Sequence, residues 1–312
     1  MSILVSGSLA FDTITAFDGR FAEHILPDKV HILNISFLVP TLRREFGGCA
    51  GNIAYSLKLL GADPLVLSTL GEDGQDYLQR LDALGLSRRH VTVLPGSYTA
   101  QAHIITDRDN NQINSFHPGA MGRAHEARVP LDAGATLAIV APNGRAAMIE
   151  HAAQLAAAGI PFVFDPGQGL PMFDGAELRA FVRQASWVAV NDYEAELLAG
   201  RTGWSLDAIA AQVRGLVVTR GERGCRVWDD GVGVDVPGIA ARAVCDPTGC
   251  GDAFRGGLLY GLSQGWTLAD GARLGNVLGA EKIAVHGPQN HRIGLDTALQ
   301  RLRAAYGSAP AG

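Results

Sequence analysis

The sequence predicts an α/β fold: a doubly wound, mostly parallel sheet flanked by helices, with a small β-sheet lid. Three observations carry that expectation. From Thr136 onward, apolar strand-like runs alternate with helix-like runs across short loops, the pattern of a parallel sheet sandwiched by helices. Earlier, residues 13–46 break this rhythm, and two β-like runs flank the turn-rich Asp107-Arg108-Asp109-Asn110-Asn111. At 312 residues, 47% hydrophobic and 18% charged, the chain can bury one large core and carry a small appendage.

Taken in order, Ile3–Ser6 is an apolar run ending at Gly7, a buried strand feeding a loop. Asp12 lies just past that strand, where open α/β sheets place ligands; a turn or cap role fits the position equally. Thr13–Phe17 and Ile35–Val39 read as strands of the excursion. Gly47-Gly48-Cys49-Ala50-Gly51-Asn52 precedes a helical pattern through Ile53, Leu57 and Leu60. Paired glycines there let backbone amides approach a ligand, or simply permit tight packing. Strand Pro64–Leu70 and helix Gln75–Leu84 complete a βα unit, and Thr99–Thr106 with Gln112–Phe116 forms a hairpin. The expected division is a large domain of residues 1–12, 47–98 and 119–312 and a lid of 13–46 and 99–118.

Strands Leu137–Ala141, Phe162–Asp165, Trp187–Asn191 and Leu216–Arg220 then alternate with helices Arg145–Ala158, Ala176–Gln184, Tyr193–Ala199 and Leu206–Val213. A β-like run, Ile239–Cys245, leads into helix Ala253–Gln264. Helices Leu268–Ile283 and Leu295–Ala304 follow, and Gly307–Gly312 reads as a loose tail.

A net charge of −5 argues against a nucleic-acid or membrane-surface partner, both of which favour basic faces. Cys49, Cys225, Cys245 and Cys250 form no C-x-x-C pair and read as reduced thiols. Met1–Gly7 lacks a basic segment and a long apolar core, so no signal peptide is expected, and no apolar run is long enough for a membrane span. A cytoplasmic protein is expected.

The stretch Asp246-Pro247-Thr248-Gly249-Cys250-Gly251-Asp252-Ala253-Phe254-Arg255-Gly256-Gly257 organises the functional reading. A Gly- and Thr-rich turn opening a helix offers unpaired N–H groups and a positive dipole end, a ready anion cradle. A carboxylate inside such a cradle repels an anion, but it makes sense as a base taking a proton from a hydroxyl that attacks phosphorus. On these residues alone, Asp252 fits a helix cap as well as a base. Two other patterns carry no function. Gly261-Leu262-Ser263-Gln264-Gly265 matches G-x-S-x-G but lies at a helix end rather than a strand-to-helix elbow. The only lysines, Lys29, Lys58 and Lys282, sit in no Gly-Lys-Ser/Thr context, so this is no P-loop protein.

That signature resembles the C-terminal motif of the ribokinase (PfkB) family of carbohydrate and nucleoside kinases, with Cys250 where the family usually has Ala. Further strings, Gly7-Ser8-Leu9-Ala10-Phe11-Asp12, Leu33-Asn34-Ile35-Ser36-Phe37-Leu38-Val39, Ser115-Phe116-His117-Pro118-Gly119-Ala120-Met121 and Asp165-Pro166-Gly167-Gln168, resemble the bacterial adenosine-kinase branch. The resemblance implies ATP-dependent phosphorylation of a purine nucleoside at its 5′-hydroxyl. Asp252 would be the base and the amides of Gly249, Cys250 and Gly251 the anion hole. It implies Ser8, Asp12, Ser36, Gly48 and Asn52 around the ribose, and Gln101, Phe116, Met121 and Gln168 toward the base. Asn191, Thr219, Gly221, Gly224, Gly249, Gly251 and Asn276 would meet ATP, Glu194 would orient waters on Mg²⁺, and Asp246 and Thr248 would hold a monovalent cation such as K⁺.

A homodimer is implied by analogy. Where strict adenosine kinases of that branch carry a second stacking aromatic, this chain has Ala102, so the resemblance implies a roomier pocket that also takes inosine or guanosine. A sugar kinase and a catalytically silent nucleoside-binding protein stay open as alternatives.

Overall fold

The computed structural model describes residues 2–25, 32, 34–109 and 111–307. Lys29, Asn110 and the tail residues 308–312 lie outside them, as does Leu33. The chain opens with β1 (Ser2–Ser6), β2 (Ala10–Ala16), a single turn α1 (Phe21–His24), β3 (Thr41–Gly47), α2 (Cys49–Leu59), β4 (Leu65–Leu70), α3 (Gln75–Ala83) and β5 (Val91–Val93). The hairpin β6 (Ala100–Thr106) and β7 (Gln112–His117) follows. The βα alternation then runs β8 (Ala135–Val140), α4 (Arg145–Ala157), β9 (Phe162–Phe164), α5 (Gly175–Gln184), β10 (Trp187–Asn191), α6 (Asp192–Thr202), α7 (Leu206–Ala210) and β11 (Gly215–Thr219). A second hairpin, β12 (Cys225–Asp229) and β13 (Val232–Val236), precedes α8 (Cys250–Ser263), α9 (Leu268–Lys282) and α10 (Leu295–Tyr306).

Among the described residues the main sheet has nine strands, ordered β13-β12-β11-β10-β9-β8-β1-β4-β5. Pairing is parallel except where β12 meets β11 and β13. The interior strands are buried on both faces, hence their near-continuous apolar runs, Ala-Thr-Leu-Ala-Ile-Val in β8 for one. Alternate residues feed two cores. Ile3 and Val5 join Ile53, Leu57, Tyr77 and Leu258 on one face, whereas Leu4 joins Val140, Phe164, Leu170 and Phe181 on the other. Helix starts follow local chemistry. Asp174 with Glu177, and Asn191 with Glu194, close capping boxes on α5 and α6.

From β1 the chain winds toward β4 and β5, and from β8 it winds the opposite way, so β1 and β8 flank the switch point where such sheets bind ligands. The second sheet, ordered β3-β2-β6-β7, stands apart from the first. Its strand β2 runs antiparallel to β3 and parallel to β6.

Two expected strands are absent. Ile35–Val39 has no ladder partner; the strand begins after Pro40, and Phe37 instead packs its ring 4.9 Å from Phe17 and 5.1 Å from Phe21. Ile239–Cys245 is also irregular, because β13 already occupies the sheet edge and the chain must cross from it to the head of α8. Ser263 ends α8 and donates its hydroxyl to Tyr260 O at 2.7 Å, buried and satisfied, which removes it as a nucleophile.

Candidate active site

The head of α8 faces the end of β1. Gly249 caps the helix with φ +79°, and a Cβ there would meet the Cβ of Pro288 at 2.6 Å, so only glycine closes this turn. Cys250 N donates to Pro247 O at 3.1 Å within the turn. The amides of Gly249, Gly251 and Asp252 have no acceptor among the described residues and supply the free donors.

Asp252 sits on the first turn of α8, where Asn52 Nδ2 donates to its Oδ2 at 2.8 Å. Gln289 Nε2 steadies Asn52 by donating to its Oδ1 at 3.1 Å and also contacts Tyr77 Oη at 2.9 Å, and Tyr77 donates to Gly47 O at 2.6 Å. Burial pushes the Asp252 carboxyl up to about 6. The Asn52 hydrogen bond draws it down, Asp165 raises it and Arg255 lowers it. The Cys49 thiol, close to Asp252 and Asp165, is pushed well above its ordinary value by burial.

One helical turn on, Arg255 is 4% exposed and forms a buried ion pair with Asp165, Nε to Oδ2 at 3.2 Å and Nη2 to Oδ1 at 3.3 Å. Arg255 Nη1 is buried without a partner among the described residues. Asp165, Glu194 and Asp252 together hold Arg255 above its usual range against the pull of burial.

The remaining expected residues fall into groups. Ser8 follows β1 and accepts from Cys49 N at 3.1 Å; Gly48 caps α2. Asp12 on β2 lies in register with Glu45 on β3 and Ala102 on β6, and Ala102 in turn with Phe116 on β7, so these four share one face of the small sheet. Burial pushes Asp12 up to about 6, with Glu45 and Asp246 adding to the shift. Phe116 is 54% exposed. Gln101 is not free, since its Nε2 donates to Asp73 Oδ2 at 2.9 Å. Met121 lies in a 3-10 turn (Gly119–Glu126) against Gly144 at the head of α4. Ser36 and Gln168 are exposed and make no side-chain hydrogen bond among the described residues.

Asn191 and Thr219 are register partners at the ends of β10 and β11, and Gly221 and Gly224 flank the turn into β12. Glu194 Oε2 accepts from Asn191 N at 2.8 Å, leaving Oε1 without a hydrogen bond among the described residues. Asn276 Nδ2 donates to Pro237 O at 3.1 Å and Tyr306 Oη at 3.0 Å, bracing α10.

Among the described residues, no cluster of three His, Cys, Asp or Glu side chains suits a caged metal. The free Glu194 oxygen fits a hydrated Mg²⁺ arriving with a nucleotide, since that ion keeps much of its water. The expected monovalent cation fits less well, because Lys282 Nζ already donates to Asp246 O at 2.7 Å.

Sequence reasoning missed Arg255, Gln289, Tyr77, Asp73 and Asn143. Asn143 follows β8 and is 2% exposed, with its Nδ2 unpartnered among the described residues. The partners of Arg255, Gln289, Tyr77 and Asp73 lie far away in the chain, and nothing local marks them.

The profile of the pfkB family carbohydrate kinases matches residues 22–293. A nucleoside kinase of Burkholderia thailandensis, solved in complex with inosine, is 52% identical and covers 99% of this chain and 100% of that one, with a TM-score of 0.90. Its complex described as ADP-inosine gives 54% identity, 99% and 98% coverage and a TM-score of 0.86. A nucleoside kinase of Methanocaldococcus jannaschii is 29% identical over 293 residues, covering 92% of this chain and 94% of the relative.

Proposed function

This chain belongs to the pfkB family of carbohydrate kinases and is a phosphotransferase acting on a hydroxyl group, and from that premise we propose that it phosphorylates purine nucleosides at the 5′-hydroxyl with ATP. The observation that carries the nucleoside reading is likeness along the whole chain to a kinase solved with inosine. Asp252 accepts the proton of the 5′-hydroxyl as its oxygen bonds to the γ-phosphorus and ADP leaves. The free amides of Gly249 and Gly251 offset charge on the travelling phosphoryl group. Asn52 holds the Asp252 carboxylate in place. Asn191, Thr219, Gly221 and Gly224 line the nucleotide side. Mg²⁺ when bound neutralises phosphate charge, and Glu194 would hold it through water.

The small sheet contributes Asp12 to the ribose and Phe116 to the base, with Ala102 between them in register. An aromatic face stacks on any nucleobase, and the missing second ring leaves the pocket tolerant of adenosine, inosine and guanosine. Ala102→Phe is expected to sharpen that choice, changing the inosine-to-adenosine ratio of kcat/KM by about tenfold or more. An unchanged ratio in steady-state assays removes residue 102 from base selection.

Turnover should also report two carboxylates. Asp12 and Asp252 are both pushed up to about 6, and both act ionised, so kcat/KM falls as pH drops through about 6 with a limiting log slope of two. In the complex only Asp252 titrates, so kcat falls with a slope of one. A kcat/KM profile flat down to pH 4 removes both roles.

The deciding experiment is an ATP-turnover panel of adenosine, inosine, guanosine, cytidine, ribose and fructose. Purine nucleosides are expected to lead. Preference for ribose or fructose makes this a sugar kinase, and no turnover of any leaves a binding protein.

A further inference from the structure

We infer that the Lys282 ammonium stands in for the monovalent cation expected near Asp246 and Thr248, so that this chain carries its own cation and works without a dissolved one. Lys282 ends α9 and is 0% exposed. Its Nζ donates to Asp246 O at 2.7 Å and to Val285 O at 3.1 Å. Convergent carbonyl oxygens are what a bound K⁺ would require, and here a side chain already occupies their focus. A second cation at the Asp246 carbonyl would share that one oxygen with the ammonium, and the two like charges would repel at close range.

The surroundings show what this charge holds together. Asp246 accepts Thr248 N on Oδ1 and Gly287 N on Oδ2, each at 2.9 Å, while Cys245 N and Asp246 N both donate to Ile283 O. Two loops, residues 245–248 and 283–287, are thus stitched around Nζ. The first of them runs directly into Gly249 and the free amides at the head of α8. The Cys250 thiol also points at the Asp246 carbonyl, Sγ to O at 3.9 Å. The ammonium therefore sets the base of the anion turn and adds fixed positive charge behind it. Lys282 acts through the turn, as a positioning residue. Sequence reading saw in this lysine only the absence of a P-loop.

The inference rests on the kinase reading and is tested with the full chain, ATP and inosine in K⁺, Na⁺, NH₄⁺ and tetramethylammonium chlorides at one ionic strength. Wild-type kcat is expected to vary less than about twofold. Stimulation of about tenfold or more by K⁺ overturns the inference, whereas no turnover in any salt strikes the kinase reading instead.

Lys282→Met, which empties the focus, is expected to lose turnover and ADP affinity in tetramethylammonium and to regain part of both in K⁺ or NH₄⁺. ADP binding is read by calorimetry, independently of turnover. Full activity without a small cation, or impairment that no cation relieves, makes Lys282 merely structural and overturns the inference. If that variant fails to fold, Lys282→Gln replaces it, and the wild-type salt comparison decides in any case.

Discussion

Asp252→Asn is expected to lower kcat by about 10²–10⁴-fold while nucleoside affinity changes no more than a few-fold. The substitution keeps the shape of the side chain and an oxygen for the Asn52 amide, which donates at 2.8 Å, so the network through Gln289 and Tyr77 stays intact. What it removes is the ability to take a proton. The carboxyl is pushed up to about 6 by burial, close to the working pH, where a base combines availability with driving force. Steady-state kinetics with inosine, alongside calorimetric inosine binding, separates the two quantities. Undiminished turnover would exclude Asp252 as the base, and lost binding with proportionally lost turnover would make it a ligand anchor.

Arg255→Met carries the largest expected stability loss, about 3–5 kcal/mol, because it strands the Asp165 carboxylate, 5% exposed, without its partner. Unfolding in urea reads this directly. Adding Asp165→Leu should restore most of the loss, since an apolar pair of similar volume replaces a buried ion pair at little net cost. If the double variant is no better than the single one, the ion pair is not the source of the effect. In the folded single variant the acid limb of kcat should move to higher pH, because Arg255 normally helps draw Asp252 down.

The regular half of the main sheet was legible because its strands are apolar runs bounded by turn chemistry, and two of the helices that follow them carry their own start signals. Asn191 to Glu194 and Asp174 to Glu177 are such signals. The edge hairpin was legible in principle and passed over. Asp230-Gly231, at φ +46° and +79°, joins Cys225–Asp229 to the Val-rich Val232–Val236, a strong short-range turn sign. Ile35–Val39 misled because β-branched and aromatic residues favour packed loops as readily as strands, and Phe37 found the rings of Phe17, Phe21 and His24 instead of a ladder.

At the site, Asp252, Asn52, Ser8 and Glu194 were readable because they stand in short local motifs. Gln289, 237 positions from Asn52, and Asp165, 90 positions from Arg255, were not. Such pairings are products of the tertiary fold and leave no trace in local spacing.

The small sheet is joined to the large one at places that also carry proposed ribose contacts. Ser8 lies in the three-residue link between β1 and β2, and Gly48 is the sole residue between β3 and α2. A swing of the sheet turns about these two links among the four that join it to the rest of the chain, so occupancy of the sugar subsite and the sheet's posture share one free energy. By linkage, a substitution that holds the sheet in the posture nucleoside favours would raise nucleoside affinity by at most the factor with which nucleoside biases the swing.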